Sequence, residues 1–277
     1  MNKLDNITTT IKEDLTNSFD GLVFDEDNHI YTYNGKRLKS TTSIVDSFKE
    51  HFDTHKAAEN KAKKILEKNP NDYRTAEYYK KRWNYIRDEA TNKGSRVHMY
   101  AECYPNFDEP YCDKEKGVLE FFNEFLPKNY HLVLQEFRMY DEKMLLAGTT
   151  DGILYDSDKN HLILFDFKTN NKNLFKYEKN LLGTMSNLKD TSYNLYSIQL
   201  SHYKYMLEQK TKYKVSHGLI VWLNNEVYND KKVSKVKPLW EGKYCKVYKA
   251  KNLIKPLLNH FNNQNKAKGL SKLVINK

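Results

Sequence analysis

The sequence predicts a mixed α/β chain on three observations. Strand-like apolar runs follow one another at 132–140, 145–155 and 162–168, separated only by the polar turns 141–143 and 156–160. Helical periodicity precedes this block and returns after it at 195–209. An apolar run at 215–223 then reads as one more buried strand. Element order alone allows α/β or α+β.

Each element has its own signal. Residues 21–38 read as a hairpin, with apolar positions at Leu22 and Phe24, a turn over 25–28 and alternation through Tyr33 to Asn34-Gly35. Ser40, Thr41, Thr42 and Ser43 offer N-caps to a helix bearing Ile44, Val45, Phe48 and Phe52, which becomes lysine-rich and stops near Asn69-Pro70. A second helix is predicted over about 72–104, with Tyr79, Trp83, Ile86, Ala90, Val97 and Ala101 at three- and four-residue spacings. A loop with Pro105 and Pro110 leads to a short helix through Val118, Leu119, Phe122 and Phe125. The three strands come next, followed by the polar stretch 169–194, long enough for a functional loop or lid. Residues 227–248 hold weaker β signals, and a helix over 248–261 precedes a basic tail. The expected organisation is an N-terminal hairpin and helical extension over 1–93, then a core with a basic C-terminal part over 94–277.

Composition excludes several classes. The 277 residues are 39% hydrophobic, which argues against disorder. No apolar run approaches the roughly 20 residues that span a bilayer. The N-terminus has no signal-peptide core and carries Asp5, Glu13 and Asp14 without arginine, so a cytoplasmic location, in a bacterial or phage-infected cell, is expected. Three cysteines without a C-x-x-C pair exclude a disulfide framework and argue against a four-cysteine cluster. The net charge of +10 is uneven: residues 159–277 carry 23 lysines against seven acids, whereas residues 1–158 are net acidic. Such asymmetry points to a polyanionic partner, although a coding bias toward lysine also contributes.

The chemistry concentrates in Gly148-Thr-Thr-Asp151 and in Leu162-Ile-Leu-Phe-Asp166-Phe-Lys168. Strand alternation puts Asp166 and Lys168 on one face and Phe165 and Phe167 on the other. Centring the turn between Asp158 and Lys159 sets Asp151 opposite Asp166, with Cβ atoms about 4.5–5.5 Å apart. Facing carboxylates repel unless a cation lies between them, and hard oxygen ligands suit Mg²⁺ or Mn²⁺. Lys168, one pleat along, can orient a water or stabilise charge on a phosphate. A hairpin with solvated charges is the plain alternative, but Asp166 and Lys168 interrupt an otherwise apolar run. Taken alone, His98 reads as an ordinary helix residue, and Gln199 with Tyr203, at i and i+4, reads as packing. Glu136 is either a further acid at the site or a solvated strand residue.

Together these residues resemble the PD-(D/E)xK nuclease superfamily, specifically its RecB-like, phage-type exonuclease branch. Gly94…His98, Gly148…Asp151, Asp166-Phe-Lys168 and Gln199…Tyr203 match its four motifs in order. The likeness covers 94–223 closely. Tyr31-Thr-Tyr-Asn-Gly and Lys39-Ser-Thr-Thr-Ser-Ile are more loosely similar to the lead-in of phage exonucleases and of mitochondrial genome maintenance exonucleases.

The resemblance implies a restriction-endonuclease-like α/β core, a central mixed sheet flanked by helices. It implies Mg²⁺ or Mn²⁺ held by His98, Asp151, Asp166 and the Phe167 carbonyl, with Asp151, Asp166 and Lys168 catalytic. Gln199 and Tyr203 would place DNA, single-stranded or as duplex ends. Lys172 and Lys176, with Lys179 and Lys189, interleave with Phe175, Tyr177 and Tyr193, supplying phosphate contacts and stacking rings. Thr150 stands where the superfamily name has proline, and the four cysteines of the iron–sulfur members are absent. No G-x-x-x-x-G-K-[ST] motor motif occurs, so a helicase or recombinase is the expected protein partner. The expected function is a metal-dependent DNA exonuclease of recombination, repair or replication. A structure-specific endonuclease and a non-catalytic nucleic-acid-binding subunit are the alternatives.

Overall fold

A computed structural model describes residues 3–171, 173–177, 179–223, 236–268 and 273–274. The chain opens with α1 (Lys3–Ser18), then β1 (Leu22–Asp25), β2 (Ile30–Tyr33) and β3 (Lys36–Ser40). Next come α2 (Thr41–Asp46), α3 (Thr54–Lys68), α4 (Ala76–Glu102) and α5 (Asp113–Glu120). The central strands are β4 (Tyr130–Asp141), β5 (Leu146–Asp156) and β6 (His161–Lys168), followed by α6 (Ser192–Lys210) and β7 (Val215–Trp222). β8 (Trp240–Glu241), β9 (Lys246–Lys249) and α7 (Ile254–Ala267) complete it.

Helices start where caps are supplied. Ser40 accepts from the Ser43 amide, Asp53 from Lys56, Thr75 from Tyr78 and Thr191 from Asn194. The single helix expected from Ser40 to Asn69 is therefore two, because Asp53 caps a new start. α1 was not expected, since Thr8, Thr9 and Thr10 disfavour a helix. Burial of Ile11 and Leu15 in the same apolar cluster as Met139 of β4 overrides that weak propensity. The last helix begins at Ile254 rather than 248, since Tyr248 pairs with Ile220 inside the sheet.

The strands form one mixed sheet in the order β1-β2-β3-β5-β6-β7-β9-β8, with β4 pairing the other edge of β5. The boundary at 93/94 falls inside α4, and β3 joins the sheet by running parallel to the start of β5. The β5–β6 register pairs Gly152 with Phe165 and Asp156 with His161, as centring the turn at 158/159 requires. β6 and β7 run parallel, with α6 as the crossover.

Helices cover both faces. On one, Val97 and Ala101 of α4 and Val118 of α5 pack with Ile163, Phe165 and Phe167. On the other, Leu200, Tyr203 and Met206 of α6 pack with Leu162, Leu164 and Ile153. α7 packs behind α6, where Leu257 and Phe261 meet Ile198 and Tyr205. The stretch 169–191 is a packed loop, not a lid: Leu174, Leu181 and Met185 are buried, and the Trp222 indole donates to Asn170 O at 2.8 Å. Among the described residues, no helix is long and apolar enough to cross a membrane.

Candidate metal and phosphate site

β5 carries an unusual edge. β3 occupies it at Leu146 and Ala147, and β6 only from Gly152 onward. Gly148, Thr149, Thr150 and Asp151 thus lie between two partners. Side chains bridge the interval: Thr150 Oγ1 donates to Phe165 O at 3.1 Å, and Asp151 Oδ2 accepts from the Phe167 amide at 2.5 Å. A Cβ on Gly148 would lie 2.6 Å from the Tyr203 ring, so only glycine lets that ring lie across the strand. Tyr31 and Thr41 also reach this interval, bonding to Thr149 Oγ1 and Ala147 O.

His98 comes to the same place from α4. Its Nδ1 lies 3.2 Å from Asp151 Oδ2. Gly94, one turn earlier, lets the helix approach β6, since a Cβ there would meet Thr169 Oγ1 at 3.1 Å. Glu136 arrives from β4. Its φ of +45° is left-handed, a conformation that non-glycine residues adopt at a cost of about 1–3 kcal/mol and that clusters at functional sites. Ligand atoms of His98, Glu136 and Asp151 all lie within 4.8 Å of one another.

Asp166 and Lys168 share one face of β6, with Phe165 and Phe167 on the other, as alternation predicts. Asp166, only 2% exposed, ion-pairs with the Lys168 ammonium. Lys168 Nζ donates to Gln199 Oε1 at 3.4 Å, Gln199 Nε2 donates to Tyr203 Oη at 2.9 Å, and the ammonium sits 4.6 Å from the Tyr196 ring centre. Gln199 and Tyr203 are thus buried beneath Lys168. Phe167 meets the site through its backbone amide, its ring being buried on the opposite face.

Crowded charge sets the ionisation. Burial opposes a charged His98, yet the carboxylates of Asp151 and Asp166 raise it to about 9. Burial, then the charges of Asp151 and Glu102, push Glu136 up to about 7. Burial and Asp151 likewise push Asp166 up. For Lys168 burial works downward, but Asp166, Tyr196 and Asp151 outweigh it and keep it an ammonium. His98, Glu136 and Asp151 thus bring one imidazole and two carboxylates within reach of a single cation, with the Asp166 carboxylate adjoining.

A cleft of about 1060 Å³ opens beside these groups, lined by His98, Phe167, Lys168 and Tyr196, by α4 from Tyr85 to Ser95, and by Asn170 and Asn171. A smaller hollow of about 660 Å³ between α1 and the end of α6 holds none of the motif residues. Lys176 is exposed on the 169–191 loop and does not line the cleft, while Lys172 lies outside the described residues. Phe175 and Tyr193 pack against each other and Tyr248 instead of offering free faces. Tyr196 and Glu102 were missed by sequence reasoning. Tyr196 lies three residues before Gln199 and Glu102 four after His98, so helical spacing carried a signal for both. No protein-family model matches the chain, and no curated protein matches it in sequence.

Proposed function

We propose that the chain is a divalent-metal-dependent DNA nuclease of the PD-(D/E)xK type and RecB-like branch, acting as an exonuclease in phage or bacterial DNA recombination, repair or replication. One observation carries the reading. Four separate elements, α4, β4, β5 and β6, converge an imidazole, three carboxylates and a lysine at one point beside a cleft. Packing alone would not gather repelling carboxylates; burial first and the neighbouring Asp151 charge second push Glu136 and Asp166 up, and a bound cation would relieve both.

His98, Glu136 and Asp151, with Asp166 adjoining, would hold the ion. When bound, it supplies positive charge to the phosphate oxygens and favours attack by water. The chain's own groups do the rest. Lys168, kept an ammonium, donates to a phosphate oxygen as charge develops, which suits it to electrostatic stabilisation and not to proton abstraction. Asp166 and Gln199 fix the direction of that ammonium, and Tyr203 fixes Gln199.

Linear single-stranded, linear duplex and covalently closed circular DNA, each with Mg²⁺, Mn²⁺ or EDTA, test the proposal. The expected result is metal-dependent cleavage of linear DNA only, abolished by Asp166→Ala and reduced at least about 1000-fold by Lys168→Ala, on the scale of losing one preorganised donor. Cleavage of closed circles would assign the endonuclease mode instead. Undiminished activity in Lys168→Ala, with the variant folded, would sink the proposed mechanism.

A further inference from the structure

The cleft reaches well beyond the charged groups, along the first half of α4. Ile86, Ala90, Gly94 and His98 stand at four-residue spacing, a stripe about 18 Å long at 1.5 Å per residue. Tyr85 and Ile86 at its far end are 67% and 53% exposed, although both line the cleft. They are not left over from packing against α3, since Tyr79 is the residue of α4 buried in this half. Arg87 and Lys93 line the same cleft. Their ion-pair partners on the same helix are exposed Asp88 and half-buried Glu89, which also lines the cleft, and such surface pairs exchange readily for phosphate.

A wall that alternates exposed apolar side chains with cations matches one kind of polyanion. In a duplex the base faces are stacked on one another and only phosphates and groove edges are presented. In an unpaired strand the base faces are available to an aromatic or aliphatic platform, while the lysine and arginine contact the phosphates.

Building on the nuclease reading, we propose that Tyr85 and Ile86 of α4 form a stacking subsite for the bases of an unpaired DNA strand, which runs along the α4 stripe to present its phosphate at His98 and Lys168. The enzyme then selects single-stranded ends, and a duplex must fray before it is cut. Of the rings expected from sequence, Phe175 and Tyr193 are packed and Tyr177 is exposed, but none of the three lines this cleft.

The test is fluorescence anisotropy with the full chain in EDTA, so that binding does not depend on metal. Labelled single-stranded dodecathymidylate and a blunt duplex of equal length are the probes. Tyr85→Ala should weaken single-strand binding by about tenfold or more, as removal of a stacked ring does. Tyr85→Phe, which keeps the ring, should bind as the wild type, and duplex binding should change less than twofold in either. Unchanged single-strand binding in Tyr85→Ala, or an equal loss for both probes, would overturn the subsite. The two readings fail separately. Metal-dependent cleavage with no effect of Tyr85→Ala keeps the nuclease and removes the subsite. Ring-dependent single-strand binding without cleavage keeps the subsite and removes the nuclease.

Discussion

Lys168 depends on neutral neighbours as much as on charged ones. Gln199 accepts from it and donates to Tyr203, so the amide transmits the position of a buried phenol to the ammonium. Gln199→Ala should therefore lower kcat by about tenfold, equivalent to about 1.4 kcal/mol, with KM for DNA within about twofold. A raised KM with kcat intact would instead place Gln199 against the DNA. The titrating groups make a second prediction for the metal-free protein. His98 and Glu136 have folded pKa values of about 9 and about 7, raised from 6.5 and 4.5, and Asp166 is raised as well. These groups thus bind more protons in the folded state than in the unfolded one, and their share of stability, full at low pH, is lost as pH rises through those values. His202 and His217, lowered by burial to about 3 and about 4, act the other way below about pH 6.5. Thermal melts in EDTA should show Tm falling between about pH 6.5 and 9, above the range in which His202 and His217 oppose the trend, and Mn²⁺ should restore it most at the alkaline end, since metal binding expels the His98 proton. A flat profile would contradict the charge crowding. At this scale Asp151, Asp166 and Lys168 were legible because strand alternation fixes relative direction. Glu136 was legible only as one of two alternatives, a site acid or a solvated strand residue, since nothing in its sequence neighbourhood announces a left-handed residue inside a strand.

Elements are held by a few buried polar anchors. Glu120, at the end of α5, accepts from the amides of Lys243, Tyr244 and Cys245 at 2.7, 2.8 and 2.9 Å. It thereby ties α5 to the turn between β8 and β9. Glu120→Ala should cost about 3–5 kcal/mol, because three amides lose a buried charged acceptor, and urea unfolding would measure it. A loss below about 1 kcal/mol would mean that water takes over these bonds. The register of the β5–β6 hairpin was readable, since a short polar turn between two apolar runs leaves one that buries both. The ladder stops at Gly152 and Phe165, however, so the expected pairing of Asp151 with Asp166 is not made and Asp151 accepts from the Phe167 amide instead. The break between α2 and α3 was not read, although Asp53-Thr54 offers a cap. Periodicity across 40–69 continues through it, and a cap alone does not announce that the chain changes direction. α1 was invisible because its helicity derives from the sheet it covers.

Across the whole molecule, charge divides differently from its division in the sequence. The lysine-rich half was expected to form the phosphate track, yet the cleft wall takes Arg87 and Lys93 from the acidic half. Residue counts along a chain cannot show which helix returns to face a strand. Affinity for single-stranded DNA should fall linearly with log salt, and Lys93→Ala and Arg87→Ala should each flatten the slope by about 0.7, one phosphate apiece. Titrations between 50 and 200 mM salt (about the range over which such slopes are read) would show it. Unchanged slopes would remove these cations from the track.

The shared edge of β5 has a consequence for how the chain can be cut. The four closely matching nuclease-like motifs all lie after residue 93, so a truncated version starting there looks nearly complete on paper. Yet β3 covers the first residues of β5, and Tyr31 and Thr41 close the interval beside Asp151. Remove them and a central strand is left with bare amides and carbonyls, the kind of open edge on which chains pair with one another and aggregate. The first forty residues therefore act as a guard for that edge, and a chain starting at residue 94 should aggregate where the full chain does not, as size-exclusion chromatography would show.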